Sequence, residues 1–560
     1  MAQKSEKSFL VEASIISLSN FAVKIIGVLF SIPLSNFMYG GMEVFNAAYS
    51  VYAMLYMIST AGLPVATSRL VAASAKRGRA NEVKRTFKLC LLLFGIIGFV
   101  FSVVMFVFAD KIAVWTKHYD SVYAMRVIAP TLFFVCVVSA IRGYLQGLRN
   151  MVPTAVSQFI EAFCKLSFGL GLAYWSNLRG DAPAVQAAYA VSGITVGMFL
   201  GMIYLVVYSR FSRKAQPVLS DEGSDSTRSI AKKLIAVALP VTITSSALYL
   251  SHFADTVIIK KALVYVGYTD EIAGKMYTAY TTMATKLADL LPSTFVFPIA
   301  VSILPAVSGA LAAKNKKEAE GYINSSMRIS GLIALPCAAL LFVLSRSAIA
   351  VLFGSNRGEG IELMDGSVVM PIDIAAKGLS ILAVGIFFIS LVSTTNALLQ
   401  ALGKAHLPMI SVSAGALCLI ITDLLLVTNE HIYIYGAPIG TLVCYIVTYS
   451  LNTFFLKRLG VRPVSPLSLF AKPMLSALVA GGGCFAVYVL TGLVIVSEGR
   501  LAHLIRLGVS GVAGVAVYAA VLLLVRGITD KEVRLLPMGG RIANFLIRRR
   551  LMKITEGSDE

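Results

Sequence analysis

Two lysines stand in the middle of otherwise apolar segments and carry the clearest chemical signal in the sequence. A charge at mid-depth of a bilayer is costly unless it faces water or a partner, so a lysine in such a segment marks a functional site by default. Each lysine belongs to a stripe of polar and small residues spaced three and four apart, which places the stripe on one face of a helix. The stripes are Ser17, Asn20, Lys24, Gly27 and Ser31, and Thr278, Thr282, Lys286, Asp289 and Ser293.

Two ammonium groups at similar depth suit an anionic ligand, because Asp289 neutralises only part of the charge beside Lys286. The alternative is that each lysine extends to the membrane surface or pairs locally, as Lys165 would with Glu161 four residues before it. Arg142 guards an inner gate or simply caps the inner end of its segment. The predicted substrate-binding residues are Asn20, Lys24, Arg142, Lys286 and Asp289.

Two carboxylates on other apolar segments are candidates for ion coupling. Asp255 and Asp423 could hold a sodium ion or titrate a proton. Hydrogen bonding between helices explains such residues equally well. No other cofactor is expected, because the five histidines show no metal-ligand spacing and no phosphate-binding glycine loop occurs. The sequence therefore predicts a transporter rather than an enzyme or an ATP-driven pump.

The segments that carry these residues are long and apolar. Of the 560 residues, 57% are hydrophobic and 14% are charged, and the mean hydropathy is +0.79. Runs long enough to cross a hydrocarbon core of roughly 30 Å, without alternation of period two, predict an all-α polytopic membrane protein. The basic residues that give the chain its net charge of +20 lie mostly in short loops between spans. Membrane topology explains it better than nucleic-acid binding does.

Fourteen transmembrane helices are predicted. The basic residues concentrate in alternate loops, and this alternation places both termini in the cytoplasm. The predicted spans are 10–38, 44–72, 86–108, 122–148, 153–175, 183–208, 231–259, 275–311, 327–353, 374–401, 407–427, 434–456, 468–494 and 503–526.

An internal repeat organises these spans. Phe133 and Phe134 match Phe387 and Phe388, and Gln146 matches Gln400, all at one offset of 254 residues. Spans 1–6 and 7–12 are therefore two copies of one unit with the same orientation, which predicts two pseudo-symmetric lobes around a central cavity. The predicted domains are the N-lobe 1–208, the linker 209–230, the C-lobe 231–456, an extra helix pair 457–526 and a basic tail 527–560.

Several segments together give the chain a family resemblance. They are KIIG from Lys24, the Tyr39–Gly40–Gly41 sequence, TKLADLLPS from Thr285 and GAPIGTLVCYIVTY in span twelve. With the 6+6+2 plan, they resemble the polysaccharide-exporter and MurJ branch of the multidrug/oligosaccharidyl-lipid/polysaccharide superfamily, above all its lipid II flippase and stage V sporulation protein B group. The resemblance extends over nearly the whole chain.

The resemblance implies a flippase that moves an undecaprenyl-diphosphate-linked saccharide, such as the peptidoglycan precursor lipid II, to the outer leaflet by alternating access. Its partners would be that lipid and the bilayer, and a monomer is compatible with this plan. The resemblance also implies a place in the plasma membrane of a bacterial cell. Lys24 and Lys286 match basic positions of the family cavity, whereas Phe30 stands at a second basic position. Asp255, Asp423 and Thr441 match a family sodium site, although Leu419 replaces an expected amide ligand.

Other readings remain open at this point. An exporter of another lipid-linked polysaccharide unit fits every feature above. A cation-coupled multidrug exporter of the same fold would prefer an acidic or aromatic cavity, and the two lysines disfavour it.

Overall fold

The protein is almost entirely helical within the part that can be described. The computed structural model describes residues 19, 22–23, 25–27, 29–38, 40–148, 150–211, 225–292, 296, 307, 316–354, 360–363, 366–404, 406–460, 466–495, 499–529 and 544. Asn20 and Lys24, most of the predicted linker 209–230 and most of the predicted tail 527–560 lie outside these residues. The five predicted domains stay predictions.

The chain divides into two compact units, Met1–Thr278 and Ala279–Glu560. Each unit is held together by packing between its own helices. The helices of the first unit are α1 (Ile25–Phe37), α2 (Gly41–Thr60), α3 (Leu63–Lys76), α4 (Ala80–Val107), α5 (Ala109–Thr116), α6 (Val122–Ile128), α7 (Pro130–Gly147), α8 (Val152–Cys164), α9 (Gly171–Leu178), α10 (Pro183–Phe211), α11 (Thr227–Val266) and α12 (Asp270–Thr278).

The second unit continues the helical pattern and adds one short hairpin. Its strands β1 (Ile361–Glu362) and β2 (Val368–Val369) are antiparallel, with Ile361 opposite Val369. Its helices are α13 (Thr285–Leu291), α14 (Lys316–Phe353), α15 (Pro371–Ala401), α16 (His406–Leu426), α17 (Gly436–Arg458), α18 (Pro466–Val494) and α19 (Arg500–Leu524).

Ten helices of the described residues are long and apolar enough to cross a membrane. They correspond to ten of the fourteen predicted spans, namely the second to fourth, the sixth and the ninth to fourteenth. The predicted fifth span is a helix in three parts, because a π-helical turn over Lys165–Leu170 joins α8 to α9. A polytopic helical membrane protein is therefore confirmed, and the full 6+6+2 plan stays a prediction.

Small residues let the helices around this π turn approach closely. A Cβ atom on Gly193 of α10 would lie 2.3 Å from the backbone nitrogen of Gly169. One turn later on α10, a Cβ on Gly197 would lie 2.7 Å from the carbonyl oxygen of Glu161. Glycines four residues apart thus form a groove that receives α8 and the π turn, as small residues do in many membrane helix pairs.

The two halves of the predicted repeat share a local geometry. The rings of Phe133 and Phe134 on α7 lie edge to face, with centroids 5.9 Å apart and planes at 64°. Phe387 and Phe388 on α15 repeat this arrangement at 5.3 Å and 69°. Both helices end a few residues before a proline-bearing helix begins, at Val152 and at His406. These features support the predicted repeat at its two best-matched segments.

The glycine groove makes a prediction about stability. Gly193→Ala should lower the free energy of unfolding by about 2 kcal/mol, because the new methyl group meets backbone that must shift. Gly95→Ala on α4 is the matched control, since a Cβ there has nothing within 4 Å. Alanine is also the better helix former, so Gly95→Ala should leave stability unchanged or slightly raised. Thermal unfolding of both variants in lipid nanodiscs measures the difference, and equal midpoints would contradict the close contact.

Candidate functional site

The predicted substrate residues fall in different places. Asn20 and Lys24 lie outside the described residues. Lys286 on α13 is half-buried and Asp289 is exposed, directly after a second π-helical segment at Ala279–Ala284. Arg142 on α7 lines a cavity inside the first unit. The convergence of the two lysines therefore stays a prediction. The described residues form a site that includes Arg142.

The cavity of the first unit has a volume of about 340 Å³. Its wall comes from α1, α2, α7, α8 and α10, with the π turn after α8. The lining is mixed, since apolar residues such as Ile194 and Met198 alternate with tyrosines and ionisable groups. This is the size and composition of a small-molecule site, in which a few polar groups fix the orientation of a ligand.

An ion pair crosses one end of the cavity. Arg142 Nη2 donates to Glu161 Oε1 at 2.5 Å, and Arg142 Nε and Nη2 donate to Ser157 Oγ at 3.0 and 2.8 Å. The Ser157 hydroxyl in turn donates to the Thr154 carbonyl at 2.8 Å. Arg142 and Glu161 are 15% and 17% exposed, so each charge is compensated chiefly by the other. This network joins α7 to α8.

The surroundings of Lys165 differ from the local pairing with Glu161 that the sequence suggests. Lys165 forms no ion pair with Glu161, although both residues are described and lie four positions apart. Glu161 is instead engaged by Arg142 on a neighbouring helix. The Lys165 ammonium lies over two aromatic rings, 4.6 Å from the Phe30 centroid and 5.7 Å from that of Tyr49. Aromatic faces attract a cation without neutralising it, so Lys165 keeps its charge beside the cavity.

Three tyrosines of α2 line the same cavity. Tyr49, Tyr52 and Tyr56 lie at spacings of three and four on one face of α2. Their ring centroids follow each other at 5.8 and 5.9 Å. Tyrosine offers a flat apolar face and a hydroxyl group, which suits a ligand with both apolar and hydroxylated surfaces.

The described lining carries a net charge of +1, from Arg142 and Lys165 against Glu161. Gln158 adds a buried amide oxygen that has no hydrogen-bond partner among the described residues. Such a group can accept a hydrogen bond from a ligand. The cavity is therefore equipped for an anionic group that is attached to a hydroxylated one.

The candidate coupling residues lie in both units. Asp255 on α11 belongs to the first unit and is buried. In the second unit, Asp423 on α16 is fully buried, and a Cβ on Gly440 of α17 would lie 2.1 Å from its Oδ1. The Thr441 hydroxyl, next in sequence, lies 3.3 Å from the Tyr280 hydroxyl. Carboxylate and hydroxyl oxygens are ligands that hard cations prefer, so the side chains of these residues fit a sodium ion.

A second polar cluster in the first unit was missed at the sequence level. Lys260 Nζ on α11 lies 2.7 Å from Glu43 Oε1 on α2 and 3.0 Å from Asp270 Oδ2 on α12. His118 Nδ1 donates to Glu43 Oε1 at 3.0 Å. Glu43 also packs against Gly274, where a Cβ would lie 2.1 Å from Oε2. The four charged or titratable groups come from distant parts of the chain, so no local pattern reveals them.

This cluster ties three helices together around one carboxylate. The His118 ring is buried, and its Nε2 has no hydrogen-bond partner among the described residues. The Lys260 ammonium, which lies 2.7 Å from Glu43 Oε1, compensates the charge of this carboxylate.

Comparison with known sequences identifies relatives over the whole chain. A profile of the family described as polysaccharide biosynthesis protein matches residues 9–311, which is more than half of the chain. A profile described as MatE matches residues 240–425.

Three similar proteins come from Bacillus subtilis (strain 168). The uncharacterized membrane protein YabM is 25% identical over 541 residues, covering 96% of each chain. Stage V sporulation protein B is 24% identical over 550 residues, covering 96% of this chain and 99% of its own. The lipid II flippase MurJ is 23% identical over 461 residues, covering 79% and 81%.

Solved structures show the same fold. A lipid II flippase MurJ in an inward closed conformation has a TM-score of 0.66 at 13% identity, covering 91% of this chain and 98% of its own. A multidrug resistance MATE family transporter in an inward-facing conformation has a TM-score of 0.61 at 16% identity, covering 79% and 99%. At these identities the likeness concerns the fold alone.

The cluster around Glu43 predicts a graded loss of stability. Lys260→Met should cost about 3 kcal/mol, because it leaves a largely enclosed carboxylate without its cation. Asp270→Asn is the matched control. Asp270 is 55% exposed, so losing its charge should cost less than about 1 kcal/mol. Thermal unfolding in nanodiscs ranks the two variants, and a larger effect of Asp270→Asn would show that Lys260 does not compensate Glu43.

Proposed function

Because the chain belongs to the polysaccharide biosynthesis protein family, in the MurJ-like group of the multidrug/oligosaccharidyl-lipid/polysaccharide superfamily, we propose that it is a lipid flippase. Its proposed substrate is an undecaprenyl-diphosphate-linked saccharide of the lipid II type, moved from the inner to the outer leaflet by alternating access. The observation that carries this proposal is the tyrosine-walled cavity of the first unit with its net positive lining.

The cavity supports this substrate class through charge. A diphosphate carries negative charge that lipid rejects, and its transfer needs cationic hydrogen-bond donors along the path. Lys165 is the cavity cation that has no carboxylate partner among the described residues, since Arg142 is bound to Glu161. An ammonium group on aromatic faces loses only a weak cation–π interaction when it turns toward a phosphate oxygen. Lys24 and Lys286 are the further cations that the sequence predicts for the same headgroup.

The lining also supports a saccharide. A sugar has apolar C–H faces and polar hydroxyl groups, and Tyr52 and Tyr56 offer flat rings with hydroxyls at their edges. The Gln158 amide oxygen can accept a hydrogen bond from a sugar hydroxyl. The polyprenyl tail has no need of such a site, because it can stay in the bilayer.

A multidrug exporter of the same fold is the second candidate. Exporters of organic cations need negative charge or uncompensated aromatic faces in the cavity. Here the aromatic faces of Phe30 and Tyr49 are already occupied by Lys165, and the net charge of the lining is positive. These features favour the anionic substrate. Another lipid-linked polysaccharide unit would satisfy the cavity as well as lipid II does.

The flippase proposal predicts the effect of removing single cations. Lys165→Met should reduce flipping of a lipid-linked diphosphate saccharide at least tenfold in proteoliposomes, because the cavity loses a phosphate donor while no ion pair is broken. Lys24→Ala and Lys286→Ala should abolish complementation in a strain that lacks its flippase. Lys232→Met, at an exposed position of α11, is the matched control and should transport normally. Normal flipping by Lys165→Met would contradict the role of the cavity.

The lipid itself gives an independent measurement. Mass spectrometry of lipids that co-purify with the wild-type protein should detect a polyprenyl diphosphate saccharide, and the Lys165→Met sample should contain at least tenfold less of it. The mass of the saccharide then distinguishes lipid II from other lipid-linked units. Recovery of organic cations in place of such lipids would favour the multidrug exporter.

We further propose that Asp423 and Thr441, with Asp255, couple transport to a sodium ion or a proton. Asp423→Asn should reduce flipping at least tenfold under an imposed ion gradient and leave it unchanged without one. Asp120→Asn, at an exposed position of the first unit, is the control carboxylate. Wild-type flipping that is indifferent both to sodium removal and to collapse of the proton gradient would eliminate the coupling proposal.

A further inference from the structure

The second unit contains a polar pocket that the proposed function does not use. Its volume is about 540 Å³, within the usual range of small-molecule sites. The first turns of α15 form one wall, the turn before α17 forms another, and the β1–β2 hairpin forms a third. The lining residues that matter here are Ser367, Asp373, Lys377, Ser380, Tyr433 and Tyr435.

Two tyrosines form an aromatic corner in this pocket. The rings of Tyr433 and Tyr435 have centroids 5.1 Å apart and planes at 49°. Both residues are half-buried, so each ring is partly accessible from the pocket. A saccharide ring has an apolar C–H face that packs well on such rings, while its hydroxyl groups point toward the polar rim.

The backbone holds Tyr433 in an unusual conformation. Its φ is +37°, in the left-handed region that bulky residues rarely adopt. The preceding turn fixes this conformation, because Tyr433 N donates to the Asn429 carbonyl at 2.8 Å and His431 N donates to Asn429 Oδ1 at 2.9 Å. A strained residue that is held firmly in place and lines a pocket points to a ligand contact.

The polar groups at the rim include both donors and acceptors. Asp373 supplies a carboxylate that is oriented by Arg346, whose Nε lies 2.8 Å from Oδ1. Lys377 Nζ lies 4.9 Å from the centroid of Tyr435, and Ser367 and Ser380 supply hydroxyl groups. A fully ionised phosphate only accepts hydrogen bonds and would be repelled by Asp373, whereas an acyl chain offers the polar rim no hydrogen bond. A polyhydroxylated ligand can satisfy donors and acceptors together.

We propose that this pocket is a saccharide-binding site. The charge alternation of the loops predicts that the segment from Gly354 to Asp373 lies outside the cell, so the site would receive sugars at the outer surface. The proposal rests on the proposed function only for the source of the sugar, which would be the headgroup after translocation. Binding of a free sugar to the pocket requires no transport.

The test is saturation-transfer difference NMR on the full-length protein in sugar-free lipid nanodiscs. The probes are N,N′-diacetylchitobiose, glucose and glucuronate. At least one of them should show transfer to its ring protons, and Tyr435→Ala should reduce that signal at least fivefold. Tyr435→Phe keeps the ring and should keep the signal. Tyr265→Ala is the matched control, because Tyr265 is 84% exposed in the first unit.

The possible outcomes separate the pocket from the transport activity. Absence of a signal for all three probes, a signal that Tyr435→Ala leaves intact, or displacement of the sugar by inorganic phosphate would each overturn the saccharide site. If Tyr435→Ala fails to fold, Ser380→Leu, which fills the pocket from α15, must reduce the signal at least fivefold instead. Protein that binds sugar in this way but does not flip lipid would reject the proposed function alone.

Discussion

A charged side chain within a membrane-spanning helix must find its compensation inside the protein, because hydrocarbon supplies none. The first unit is arranged around this constraint. Arg142 and Glu161 compensate each other between α7 and α8, and the Ser157 hydroxyl accepts from Nε and Nη2 of the guanidinium group. The glycine groove of α10 allows α8 to approach closely enough for this pair to be enclosed. The close packing of the helices and the compensation of these charges therefore depend on each other.

The predicted offset of 254 residues pairs Arg142 on α7 with Asn396 on α15, and Asn396 makes a different polar contact. Its Oδ1 accepts a hydrogen bond from Asn452 at 2.8 Å. Asn452 also donates to the Thr395 hydroxyl at 3.0 Å. The contact between Asn396 and Asn452 joins α15 to α17 through neutral amides, so no ion pair is needed at this place. A polar contact between helices therefore occurs at both positions, and at Arg142 it belongs to a charged cavity.

The charged cavity is the part of the first unit that bears on the choice of substrate. The fold is shared by transporters of unlike substrates, so the fold by itself does not select one. The lining supports the proposed diphosphate-linked saccharide, because a cation on aromatic faces and a row of tyrosines suit such a headgroup. Two lysines on apolar segments lie at or near π-helical turns. Lys165 is the first residue of one turn, and Lys286 follows shortly after another turn, which covers Ala279–Ala284. Such turns are frequent at functional sites, where they alter which way side chains face.

The sequence by itself determined the membrane class and ten spans that the structure shows as helices, because apolar length is read directly along the chain. The resemblance of several segments indicated the family, which the family profile confirms. The sequence also pointed to Arg142. It did not determine which charges pair: Glu161 and Lys165 look like local partners at four residues, yet Glu161 binds Arg142 and Lys165 lies on Phe30 and Tyr49. Local spacing fixes neighbours on one helix, whereas contacts between helices depend on how the helices pack. That is why the cavity, and the Glu43 cluster drawn from three distant segments, were decided by the tertiary structure.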